Sequence, residues 1–205
     1  MLAIAALSNQ TIVSGITESG QVQQTSDEAL VSAIARSDQR AMRTLYVRHN
    51  VRVYRFVLRL VRDTALAEDI VSDVFLDVWR QAGAFKAKSR VLTWLLGIAR
   101  NKAVSASRRR RHAQLNDRTV VGIADPAENP EAMLEHRARS ATIRQCLSQL
   151  SALHREVIDL VYYHEKSVEE VAEIVGVPAN TAKTRMFHAR KRMETLLETS
   201  GLRCH

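Results

Sequence analysis

Between Asp27 and Gln81 the apolar residues Leu30, Ile34, Met42, Leu45, Tyr46, Val53, Phe56, Val57 and Leu60 recur at intervals near three and four. That is the period of an α-helix with one buried face, and a strand, whose side chains alternate with period two, cannot carry it. After Asp63 and Thr64, either of which can cap a helix, the run ALAEDIVSDVFLDVWRQ sets Ile70, Val71, Val74, Phe75 and Val78 on one stripe and Asp69, Ser72, Asp73 and Asp77 on the other face. With only 7 Gly, 3 Pro and 5% aromatic residues in 205, the chain lacks the turns and β-formers that sheet folds require. An all-α fold is expected.

Where the period fails, the chain divides. Residues 1–26 mix Ser, Thr, Gln and Gly with scattered apolar residues and one charge, Glu18, and are expected to form a flexible tail. The stretch HAQLNDRTVVGIADPAENP also loses its period and holds Gly122, Pro126 and Pro130, the composition of a linker. Asn129 before Pro130 reads as a cap and first-turn pair, after which Ile143, Leu147 and Leu150 resume the helical pattern. The expected layout is two helical domains, 27–112 and 130–198, joined by a flexible linker over 113–129, with a short tail at 199–205.

Charge directs attention to a polyanionic partner. Lys and Arg number 30 against 22 Asp and Glu, a formal balance of +8. Between Gly83 and His112 stand nine basic residues, Lys86, Lys88, Arg90, Arg100, Lys102 and Arg108 to Arg111, with no acidic residue among them. Cys146 and Cys204 cannot build a disulfide framework or a Cys-x-x-Cys metal site, which fits a reducing cytoplasm; Cys146, in register with Ile143 and Leu150, is expected in the core. The first basic residue is Arg36, so a secretory leader is not expected, and no apolar run reaches the ~20 residues of a membrane span. The seven histidines are dispersed, and neither a phosphate loop nor a nucleophile elbow is present, so no metal, cofactor or catalysis is expected.

The segment SVEEVAEIVGVPANTAKTRMFHARKRM reads as a helix-turn-helix. Ser167 and Glu170 have capping-box spacing, Val168, Val171, Ala172 and Val175 form a short stripe, and Gly176 with Val177 and Pro178 supplies the turn. At 100° per residue, Ala182, Met186, Ala189 and Met193 of the second helix face inward, while Thr184, Phe187, His188 and Lys191 face outward with Lys183 at the edge. Lys, Thr and His can bond base edges, Phe can meet a thymine methyl, and Arg185, Arg190 and Arg192 suit phosphates. The plainer alternative is a solvated basic face on a bundle helix.

In AFKAKSRVLTWLLGIARNKAVSASRRRR a cationic loop, 86–90, leads into a helix carrying Trp94, Leu95, Ile98 and Ala99 toward a core. Charge beside a pocket suits an unpaired strand, whose phosphates and unstacked bases are both exposed. Asn101, a third of a turn from the buried face, can read a base edge or simply be solvated.

Three segments, DTALAEDIVSDVFLDVWRQAGAF, SRVLTWLLGIARNKA and LSQLSALHREVIDLVYYHEKSVEEVAEIVGVPANTAKTRMFHARKRM, together resemble the extracytoplasmic-function (ECF) group of bacterial sigma-70 factors, over about 27–198. The resemblance implies region 2 over 27–112 and region 4 over 130–198, core RNA polymerase and promoter DNA as partners, and an anti-sigma factor as regulator. It implies that Asp69, Ser72, Asp73 and Asp77 face the clamp of the largest polymerase subunit. Lys86, Lys88, Ser89, Arg90, Arg100 and Asn101 fall at the −10 element, and Lys183, Thr184, Arg185, Phe187, His188 and Lys191 at the −35 element. The chain departs from the group's pattern in the loop KAKSR, in His188 where Arg is frequent, and in Ser151 where proline is usual. The competing reading is an autonomous helix-turn-helix regulator binding duplex DNA.

Overall fold

The computed structural model describes residues 25–113 and 133–201, with side chains over 25–110 and 140–201. The tail expected at 1–26, the linker at 113–129, the Asn129–Pro130 cap and Cys204 fall wholly or almost wholly outside those residues. Among the described residues every regular element is helical: α1 (Asp27–Ile34), α2 (Gln39–Val61), α3 (Thr64–Gln81), a 3-10 turn (Ala82–Ala84), α4 (Val91–Ala113), α5 (Met133–Gln149), α6 (Ala152–Tyr162), α7 (Val168–Val175) and α8 (Ala179–Thr199).

Side-chain caps start most of these helices. Ser26 accepts from the Ala29 N–H, Asp38 from Arg40 and Ala41, and Asp63 rather than Thr64 accepts from Leu66, each satisfying donors that a helix start leaves open. The Asp63 carboxyl is held below its ordinary pKa by that Leu66 N–H and by the Arg110 guanidinium. Ser151 caps α6 through the His154 N–H, so the residue standing where proline is usual performs a helix-starting role of its own.

In the first half, α2, α3 and α4 pack around Leu45, Val53, Phe56, Val57, Val74, Val78, Leu95 and Leu96, all fully buried. Each such side chain contributes about 1.5–3 kcal/mol through removal from water. In the second half α8 lies across α6 and α7 over Val157, Leu160, Val171, Ala182, Met186 and Ala189. Cys146 is buried there, as its register indicates. Trp94 is only half-buried, against the Phe85 ring at 4.9 Å.

The halves do not stand apart. α4 packs on α7, α2 touches α6, and the contact between them is polar. Arg100 Nε donates to Glu156 Oε1 at 2.6 Å, and Arg59 donates to Asp159 while its guanidinium lies 4.0 Å over the Tyr163 ring. Lys166 Nζ donates to Thr93 Oγ1 at 3.0 Å and to Glu170 Oε1 at 3.1 Å, and the Thr93 hydroxyl donates to the same Glu170 oxygen. The Phe56 ring meets His164 edge-on at 5.5 Å. Of the six buried polar or charged residues among those described, five (Thr93, Glu156, Asp159, His164 and Lys166) lie in this contact.

Candidate nucleic-acid interface

The helix-turn-helix forms as its capping signals indicate. Ser167 Oγ accepts from the Glu170 N–H at 3.2 Å, and Glu170 Oε2 accepts from the Ser167 N–H at 3.1 Å, which completes a capping box. Burial alone would raise the Glu170 pKa. Hydrogen bonds from Thr93, the Ser167 N–H and Lys166 outweigh it and hold the carboxyl below its ordinary value. Gly176 closes α7 at φ +69°, a left-handed conformation that a Cβ would strain even though open space surrounds the site.

α8 then presents two distinct faces. Ala182, Met186 and Ala189 are buried, while Lys183, Thr184, Phe187, His188 and Lys191 are exposed and Arg185 is half-buried. Phe187 is 63% exposed, and its ring stands 5.5 Å from that of His188. An aromatic ring so open to water on a basic helix is a ready contact surface. The Thr184 hydroxyl donates to Asn180 O, so it offers a base its lone pairs. Alongside runs a shallow cleft of about 630 Å³ lined by Gln149, Ser151, His154, His188, Lys191, Arg192 and Thr195. Sequence reasoning missed Gln149 and His154 there, because only the fold brings the α5–α6 corner beside α8.

In the first half the sites divide. Lys86, Lys88 and Arg90 are exposed on the 85–90 loop, Ser89 is half-buried, and Ala87 has φ +50°, an uncommon conformation for a residue with a Cβ. Asn101 is exposed on α4. Its neighbour Arg100 is engaged: Nε donates to Glu156 Oε1 of the other half at 2.6 Å and Nη2 to Oε2 at 3.4 Å. On α3, Asp69, Ser72 and Asp73 are exposed, whereas Asp77 is half-buried and pairs with Lys102 Nζ at 2.7 Å. Among the described residues no helix is long and apolar enough to cross a membrane.

Residues 45–113 match the family pattern described as Sigma-70 region 2, and residues 140–193 that described as Sigma-70, region 4. The ECF RNA polymerase sigma factor SigL of Mycobacterium tuberculosis is 32% identical over 179 residues, covering 85% of this chain and 98% of its own. SigK of Mycobacterium bovis, also described as an ECF RNA polymerase sigma factor, is 32% identical over 179 residues, with 84% and 94% covered. The fold resembles the sigma factor RpoE of Bartonella quintana, solved with the anti-sigma factor NepR, at a TM-score of 0.63, 28% identity, 76% of this chain and 96% of that one. It also resembles CnrH, solved with the cytosolic domain of CnrY, at a TM-score of 0.62, 26% identity, 84% of this chain and 97% of that one. With two ordered sigma regions and relatives matched over nearly their whole length, the chain belongs to the ECF RNA polymerase sigma factors of the sigma-70 family.

Proposed function

We propose that this sigma factor directs promoter-specific initiation in the cytoplasm by binding core RNA polymerase and reading −35 and −10 elements, with no catalysis of its own. The observation that carries the reading is the outer face of α8, where Lys183, Thr184, Phe187, His188 and Lys191 stand exposed on a helix whose other face is locked into the core. Such a helix offers donors, acceptors and an apolar ring to a major groove, while Arg190, Arg192 and the adjoining cleft suit phosphates. The unpaired −10 strand is assigned to Lys86, Lys88, Ser89, Arg90, Arg100 and Asn101, a cationic loop and the helix that follows it. The clamp of the largest polymerase subunit is assigned to the acidic side of α3, Asp69, Ser72, Asp73 and Asp77, whose charge complements a basic partner. An anti-sigma factor is the expected inhibitor, since both solved relatives above were captured with a protein partner, named for RpoE as an anti-sigma factor.

Run-off transcription with core polymerase, with and without the protein, tests the reading. Initiation that depends on the protein and on promoter sequence is expected, and Lys183→Ala or Asn101→Ala should reduce it in a promoter-dependent way. A tight footprint by the protein alone with no stimulation of polymerase would replace this reading with that of an autonomous regulator. Uniform loss across sequences on either substitution would reduce those residues to phosphate contacts.

A further inference from the structure

The α5–α6 corner and α8 form the two walls of the cleft beside the reading face, and each wall carries a histidine, His154 on one and His188 on the other. The corner is firmly built. Arg155 Nε donates to Leu147 O at 3.0 Å, and its Nη2 donates to Ser148 O at 3.1 Å and to Leu150 O at 2.8 Å, satisfying carbonyls that the end of α5 leaves open. Ser151 Oγ accepts from the His154 N–H, which fixes the backbone that carries that imidazole. On the opposite wall the His188 ring stands 5.5 Å from that of Phe187, close to perpendicular. Neither imidazole has a hydrogen-bond partner among the described residues, so each can serve a ligand. Lys191 and Arg192 of α8 line the same cleft.

The neighbouring elements bring no counter-charge to it. Among the described residues no acidic side chain lines the cleft. Glu156 and Asp159 of α6 turn to Arg100 and Arg59, and Glu169 and Glu170 of α7 are bound at the start of their own helix. Glu173 of α7, Glu194 of α8 and Arg144 of α5 are exposed outside it, and α5 contributes only the neutral Gln149 to the wall. Two imidazoles, an ammonium and a guanidinium around one hollow suit an anion with several acceptor oxygens. The anion that a duplex docked on α8 brings there is a backbone phosphate. Lys and Arg stay charged throughout, whereas histidine changes charge between pH 5 and 8. A phosphate favours the protonated rings, so binding takes up protons, and affinity is highest at low pH and falls as pH rises.

We propose that this cleft seats a backbone phosphate of the −35 duplex between His154 and His188, which makes −35 affinity depend on pH. This rests on the assignment of α8 to the −35 duplex. The outer face of α8 reads the bases, and the protonation of the cleft sets how tightly the duplex is held.

The test titrates holoenzyme against promoter duplexes that the parent holoenzyme has itself selected from a random library, at fixed salt and at pH 6, 7 and 8. Parent affinity should fall about tenfold from pH 6 to pH 8, the scale of one charge-assisted hydrogen bond. His154→Gln combined with His188→Gln should hold affinity near the parent's pH 8 value throughout, and His188→Arg should lessen the fall by supplying a cation that does not titrate. An equal fall in parent and double variant overturns the proposal, as does a fall carried wholly by His188, which needs no second wall. A further measurement requires no substitution in the protein: duplexes carrying one neutral methylphosphonate at successive backbone positions. At one or two positions the pH dependence should vanish; if it persists at all of them, the histidines contact bases and the phosphate seat is overturned. A parent holoenzyme that selects no sequence refutes the −35 assignment itself, whereas sequence selection with pH-independent affinity refutes the histidine seat alone.

Discussion

Replacing Phe187 by Ala separates recognition from stability more cleanly than any other change on α8. The ring is 63% exposed, so truncation removes little buried surface, and unfolding free energy should move by no more than about 0.5 kcal/mol, as for an ordinary surface substitution. Fully burying a phenylalanine side chain releases about 1.5–3 kcal/mol. If the duplex covers the 63% now facing water, the contact supplies about 1–2 kcal/mol, or roughly 5- to 30-fold in affinity. The assay is titration of holoenzyme, parent or variant, against promoter duplexes that the parent holoenzyme has itself selected from a random library, with urea unfolding run in parallel. Unaltered affinity would remove Phe187 from the interface. A loss of stability above about 1 kcal/mol would place it in the core and refute the division of α8 into two faces.

Three further outcomes follow from the geometry. Gly176→Ala should destabilise region 4 by about 1 kcal/mol, because a Cβ at φ +69° meets its own backbone whatever the room around it; an unchanged urea midpoint would show the turn relaxing to another conformation. Ser167→Ala, which removes one arm of the capping box, should cost about 1 kcal/mol, checked by the same midpoint. His49 gives a pH dependence. Burial, helped by the nearby Arg48 and Arg52 cations, outweighs its attraction to Asp27 and depresses its pKa below 6.5. With Nε2 bonded to Asp27 Oδ2 at 2.7 Å, Nδ1 is buried without a partner, so a second ring proton would go unsatisfied. The unfolded chain therefore binds that proton more readily. This contribution is complete above about pH 6.5 and is lost as pH falls from there toward the depressed folded value. Urea midpoints at pH 7.5 and 5.5 should differ less in His49→Gln than in the parent, and an equal difference would exclude His49 as the source.

Helices and caps were legible because their signals are local. The Ser167–Glu170 spacing, the stripe of Ala182, Met186 and Ala189, and the outward set from Lys183 to Lys191 all follow from one periodicity, and the structure keeps each in place. The packing of the two halves was not legible. Arg59, Arg100, Glu156 and Asp159 are charges on amphipathic helices, and nothing in their spacing separates a solvated charge from one paired across a contact. Arg100 thus reads equally well as a free strand-binding cation, though the fold ties it to Glu156. One trace of the contact does exist. In HREVIDLVYY, Glu156 and Asp159 stand three apart on one face of a helix otherwise rich in Val, Ile and Leu. Both acids are buried, and buried acids need partners from elsewhere in the chain.

The two oxygens of Glu170 divide their labour. Oε2 fastens the start of α7, whereas Oε1 reaches across to Thr93 and is also held by Lys166 from its own half. Parting the halves would therefore cost that carboxylate a single bond and leave its helix-starting grip untouched. The reading head would swing away already folded, with no segment to rebuild before it meets DNA, and the transition would run at the speed of a hinge.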